Sequence, residues 1–171
     1  MNRTRLFAVL VILSLLTGGA IAPPAATARA VRTEVTGEEW FEDTIDPGEL
    51  VILPNGRQRI RGLVNTYTEV ASDPRLCGWN TIVINANWDA YGVGPMWGTA
   101  HLDVPAGPDC HGGGAWDSTW TGAVSADGSC YWRAVGHGTS GCVEGLKLQL
   151  IADCGGYPTT YEGTVLAPHG E

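Results

Sequence analysis

Gly113–Leu150 reads GGAWDSTWTGAVSADGSCYWRAVGHGTSGCVEGLKLQL. Two runs of alternating residues flank Asp127-Gly128. That is a short-range signature of a β-hairpin, because glycine enters the φ > 0 conformation of a tight turn at no steric cost. A two-residue loop there sets a register with Val124 opposite Tyr131, Trp120 opposite Val135 and Ser118 opposite His137. Cross-strand partners share a face. Trp116, Ser118, Trp120, Tyr131, Arg133 and His137 therefore fall on one side, and Asp117, Thr119, Trp132, Ala134 and Gly136 on the other. The first side is bulkier and more apolar, which predicts that it faces inward. A slip of one residue would invert the assignment. A Gly-rich corner then leads into a third strand, where Leu146, Leu148 and Leu150 face one way and Lys147 and Gln149 the other.

The same architecture extends outward from this stretch. Upstream, Ile82, Ile84 and Ala86 alternate with Thr81, Val83, Asn85 and Asn87, and Met96–Val104 puts Trp97, Thr99, His101 and Asp103 on one side. Arg57, Arg59 and Arg61 alternate with Ile60 and Val64, the period of a half-buried strand with a solvated Arg row. Downstream, Thr159–Leu166 forms a last strand. No segment carries a sustained 3.6-residue period with helix caps. Seven or eight short strands separated by Gly, Pro, Asn and Asp turns predict an all-β fold. The 24 glycines favour a tightly curved sheet, and the simple hairpin connections favour an antiparallel, up-and-down barrel of about eight strands.

Met1–Ala30 has the pattern of a secretory signal peptide: Arg3 and Arg5, an apolar Leu6–Leu16, then small residues with cleavage expected near Ala28 or Ala30. Residues 31–171 are expected to form a single barrel domain, with an acidic, loosely ordered segment over 31–48. The formal net charge is −8, and loss of Arg3, Arg5 and Arg29 takes it to −11. Such a chain does not bind nucleic acid by neutralising phosphates, nor an anionic membrane surface. The expected setting is secreted or extracytoplasmic.

In an exported chain the five cysteines, Cys77, Cys110, Cys130, Cys142 and Cys154, read as disulfides with one thiol left over. Alternating strands place Cys130 and Cys154 at one end and the other three at the opposite end. This predicts Cys130–Cys154, and Cys77–Cys110 with Cys110–Cys142 as its rival.

At Gly136–Leu148, GHGTSGCVEGLKL, and at Gly114–Gly122, with its Gly-x-Trp-x-x-x-Trp-x-Gly spacing, the chain resembles allene oxide cyclase and dirigent-like barrels and bacterial secreted proteins of similar build. The resemblance covers the last third of the chain and rests on a structural corner. It implies an eight-stranded antiparallel barrel of the calycin and allene-oxide-cyclase-like type with an apolar interior. No position matches a motif that would transfer catalytic residues.

The candidate chemistry is modest. No nucleophile-elbow motif accompanies Ser118 and His137. His101 and Asp103, with His111 or His137, have ligand chemistry, but an i, i+2 pair recurs by chance, so no metal and no cofactor are assigned. With the bulky face inward, Arg133 and His137 would join Trp116, Trp120 and Tyr131 inside the barrel. A buried arginine there would need an anionic partner. The leading expectation is a barrel that binds a small apolar or amphipathic molecule through these five residues without chemistry. Two alternatives stay open. One is a cyclase or isomerase using Arg133, His137 or Glu144. The other is a surface module that binds glycans or a protein, with Trp116 and Trp120 as a stacking platform.

Overall fold

The structure is a computed structural model, and it describes residues 30–168. The signal-peptide reading, Met1–Ala30, lies outside this range except for Ala30. Nine antiparallel strands run β1 (Val31–Asp46), β2 (Glu49–Ile52), β3 (Gln58–Ala71), β4 (Gly78–Trp88), β5 (Gly94–Val104), β6 (Gly114–Val124), β7 (Cys130–Gly141), β8 (Lys147–Asp153) and β9 (Thr159–Ala167). A single 3-10 turn, Pro74–Leu76, interrupts them, and no α-helix occurs among the described residues.

From β3 to β9, each strand pairs with the one before it in sequence. Closure comes from β1. Its first half pairs with β9, from Val31↔Ala167 to Glu39↔Thr159, and its second half with β3, from Gly37↔Ala71 to Asp46↔Val64. Hydrogen bonding therefore runs around a ring of eight strands, and β2 extends the line of β1 along β3 beyond the Pro47-Gly48 break. A closed sheet has no long unpaired edge. The acidic segment expected to be loose is thus the strand that seals the ring. Its first half is bonded to β9 and its second half to β3, with Gly37–Glu39 paired on both sides, and its charges project mostly outward.

The central hairpin forms, but with a three-residue loop. Ser125 and Ser129 are the closing pair: Ser125 N–H donates to Ser129 O at 2.8 Å and Gly128 N–H to Ser125 O at 3.0 Å. Gly128 takes φ +85°, and Asp127 Oδ1 accepts from Ser129 N–H and Oγ–H. The extra loop residue shifts β7 by one place. Trp120 faces Ala134, Ser118 faces Gly136 and Asp117 faces His137. The inward face of β6 is as expected, with Trp116 and Trp120 buried. On β7 the faces are exchanged: Trp132 and Ala134 turn in, while Tyr131, Arg133, Val135 and His137 turn out to solvent. A second irregularity lies between Ile60 and Leu63 on β3. It breaks the Arg57/Arg59/Arg61 alternation, so Leu63, Asn65 and Tyr67 point inward rather than Val64. Arg61 is half-buried, bonded to Ile60 O, Ala86 O and Asn87 Oδ1, with its guanidinium 5.0 Å from the Trp97 ring.

The interior is packed unequally along its length. One end is filled by a cluster that includes Val35, Leu76, Leu102, Trp116, Val143 and Val165. Trp116 is its centre, 1% exposed, and its indole N–H donates to Arg75 O at 2.8 Å. The Cys110–Cys142 disulfide clamps this end. Cys130–Cys154 ties β7 to the end of β8 at the opposite end, as the sequence predicts. The Cys77–Cys110 expectation is overturned. Cys142 N–H donates to Gly113 O, which draws Cys142 to the loop carrying Cys110. Cys77 is free, with Sγ turned to the backbone of Ala71.

Candidate functional site

Between the packed end and the Cys130–Cys154 end the barrel is hollow. The cavity has a volume of about 450 Å³. Leu76, Leu102 and Leu148 form its floor, where it meets the packed cluster. Ile82, Met96, Trp120, Ala134 and Leu150 line its sides, and Trp88 and Trp132 its upper wall. Phe41 and Tyr157 line it and are also solvent-exposed, so they mark the opening. Tyr157 packs edge-on against Trp40, and Phe41 edge-on against Tyr67. The volume and the mainly apolar lining are those of a site for one small molecule.

The polar groups of the interior gather on one wall. Glu39 on β1 lies opposite Glu69 on β3, and both are buried. Asn80 on β4 donates from Nδ2 to Glu69 Oε1 at 2.7 Å, which fixes its amide with Oδ1 free. Tyr161 on β9 stands beside Glu69, its ring lying over Gly37, where any β-carbon would run into it. Asn65 Nδ2 donates to the Tyr67 hydroxyl at 3.1 Å. Burial first, then the charge of Glu69 and the hydrogen bond to it, holds the Glu39 carboxyl well above the ordinary carboxylate range. Burial also raises Glu69, against hydrogen bonds from Asn80, Glu39 and Tyr161 that favour its charged form. Two adjacent buried carboxylates cannot both ionise cheaply, so burial and proximity favour the protonated form of the pair. The Tyr161 phenol is pushed far up by its burial and by Glu69, so it stays protonated.

Buried polar atoms are normally hydrogen-bonded. Here Glu39 Oε1, Glu69 Oε2, Asn80 Oδ1, Trp88 Nε1 and Trp120 Nε1 are buried and receive or make no well-formed hydrogen bond within the protein. Glu39, Asn80, Trp88 and Trp120 all line the cavity. Four of the five residues therefore stand in the cavity wall, with their unpartnered atoms enclosed within it.

Of the five residues expected to bind a ligand, only Trp120 lines the cavity. Trp116 is inside but belongs to the packed floor. Tyr131, Arg133 and His137 are on the outer surface, placed there by the one-residue shift of β7. Burial of Trp116 and Trp120 also removes the stacking platform that a glycan-binding face would need. The expected Ser118–His137 contact is not made, because the two residues point to opposite faces. His101 sits at the surface between Asp117, 2.6 Å from Nδ1, and Asp103, 3.3 Å from Nε2. The Asp117 hydrogen bond raises its pKa. The residues missed in sequence are Glu39, Glu69, Asn80 and Tyr161. A signal for one of them exists: Val35, Gly37, Glu39 and Phe41 alternate, which puts Glu39 on the inner face of any strand that buries Val35.

Comparison with known proteins found no matching family model, no matching curated protein and no matching solved structure.

Proposed function

We propose that the protein binds one small, largely apolar molecule inside its barrel, outside the cytoplasm. The observation that carries this reading is the hollow between Leu148 and Trp132, about 450 Å³ in volume and lined mainly by apolar side chains. A packed β-domain of this size would fill that space with side chains. The two disulfides and the leader-like composition of Met1–Ala30 support an extracytoplasmic setting. Kinship with allene oxide cyclase and dirigent-like barrels, read at Gly136–Leu148, belongs to the same proposal. An enzymatic reading would have to rest on Glu39 and Glu69, because Arg133, His137 and Glu144 face solvent.

The test uses N-phenyl-1-naphthylamine, a neutral probe that brightens in apolar surroundings. Residues 31–171, oxidised, should bind one probe per chain, with quenching of the cavity tryptophans. Ala134→Phe projects a ring into the hollow. It should abolish binding while the melting temperature holds within a few degrees. Absent binding, or equal binding by the variant, would refute an interior site.

A further inference from the structure

We propose that the cavity takes an uncharged, ring-bearing hydrophobe and rejects molecules of like size that carry an ionised head. This rests on the interior site proposed above and names the class of molecule it takes.

A molecule in the hollow finds no charge to pair with. No Lys, Arg, His or Asp lines it among the described residues, and the one carboxyl in its wall is that of Glu39. That carboxyl is not presented to the hollow. It is hydrogen-bonded to Glu69, which does not line the cavity, and its Oε1 is enclosed. Other polar side chains of the wall are bonded within the protein. Asn80 Nδ2 donates to Glu69 at 2.7 Å, Asn65 Nδ2 to the Tyr67 hydroxyl at 3.1 Å, and Thr44 Oγ1 to Asn65 Oδ1 at 2.9 Å. The indole N–H groups of Trp88 and Trp120 are enclosed. An ionised head, cation or anion, would shed its water here and gain no counter-ion, which is far costlier than burying a neutral group. A neutral hydrophobe carries no such cost and leaves no hydrogen bond unmade.

Shape favours rings over chains. Residues from every strand of the ring, β1 and β3 to β9, border the hollow, so it occupies the cross-section of the barrel rather than a groove along one wall. At the packing of an organic liquid, the cavity of about 450 Å³ holds about 250 Å³ of molecule, the bulk of about three fused or linked rings. Trp88, Trp120 and Trp132, with Tyr67 and the pair at the mouth, Phe41 and Tyr157, give it aromatic walls. Rings meet such walls in offset and edge-on geometries that add to the gain from area burial. A flexible chain of equal hydrophobicity gives up rotamer freedom to coil into the same space, and a rigid ring system has none to lose.

The test displaces N-phenyl-1-naphthylamine from residues 31–171 at pH 7. Three competitors share one ring system and differ in charge: 1-naphthalenemethanol, 1-naphthoate and 1-naphthylmethylammonium. The alcohol is expected to compete at least tenfold better than either ion. Two more competitors are neutral, of similar hydrophobicity, and differ in shape. Fluoren-9-ol is expected to compete at least threefold better than octan-1-ol. Trp132→Leu opens the aromatic wall and should bring these two to within about twofold of each other. The variant's fold is checked by circular dichroism, and the comparison in the native protein stands without it. An ion that matches the naphthyl alcohol, octan-1-ol that matches fluoren-9-ol, or a ring preference untouched by Trp132→Leu would overturn the uncharged ring-bearing class and leave the interior site standing. Failure of the probe itself to bind would overturn both.

Discussion

Trp116→Phe and Trp120→Phe make the same chemical change four residues apart on one strand, yet the structure assigns them different costs. Trp116 is 1% exposed in the packed end, and its N–H holds the Arg75 carbonyl at 2.8 Å. Losing that bond and stranding a part-buried carbonyl costs about 1–2 kcal/mol. The few tens of cubic ångströms vacated add about 1 kcal/mol, at about 24 cal/mol per Å³ of cavity. The expected loss is about 2–3 kcal/mol. Trp120 has an N–H with no partner to lose, and the space it vacates joins a hollow already present. Its replacement should cost about 1 kcal/mol or less. For a domain of this size the difference separates the two melting temperatures by roughly 4–8 °C. Thermal unfolding followed by circular dichroism reads it directly, in oxidised protein at one pH. Equal losses, or a larger loss at Trp120, would refute the division into a packed end and a hollow end.

Cys130→Ser, Cys154→Ser and the double variant should lose the same stability, about 3 kcal/mol for a bridge closing 24 residues, because each breaks one bond; additive losses would contradict the bridge. Thiol titration of unfolded, unreduced protein should find one group, Cys77; three would mean a bridge is missing. Glu39 and Glu69 are both raised above their unfolded values, so their protonated forms favour the fold. That contribution is present below the unfolded carboxylate pKa and is lost as pH rises through the folded values. Relative to Glu39→Gln/Glu69→Gln, the native protein should therefore lose stability as pH rises above the ordinary carboxylate range; a parallel pH profile would contradict the buried pair. Gly128→Ala should cost about 1–2 kcal/mol, because alanine resists φ +85°, and Gly128→Asn less; no loss in denaturant unfolding would contradict the three-residue loop.

Much of the fold is legible in the alternation of residues. The inward sets of β4, β6 and β8, namely Ile82 with Ala86, Trp116 with Trp120, and Leu148 with Leu150, follow from period 2 and burial alone. The face of β7 does not. Asp-Gly suits a two-residue loop and also a three-residue loop closed by Ser125 and Ser129, and the two differ by one place of register. That single residue carries Tyr131, Arg133 and His137 from the inside to the outside. The carboxyl pair is hidden for a different reason. Glu39 sits among Glu34, Glu38, Glu42 and Asp43, and a run of acids reads as a solvated surface until closure of the ring is known. Its partner Glu69 lies thirty residues away. Only β1 reaching β3 brings them together. The choice between Cys77 and Cys142 for Cys110 likewise turns on loop hydrogen bonds that local sequence does not encode.

The central claim is that the barrel holds a small molecule within it, and the most direct test is a crystal of residues 31–171 soaked with N-phenyl-1-naphthylamine. The account predicts density for one probe enclosed by Trp88, Trp120 and Trp132, above a floor of Leu102 and Leu148. Side chains closed across that space, with the probe on the outer surface or absent, would contradict it.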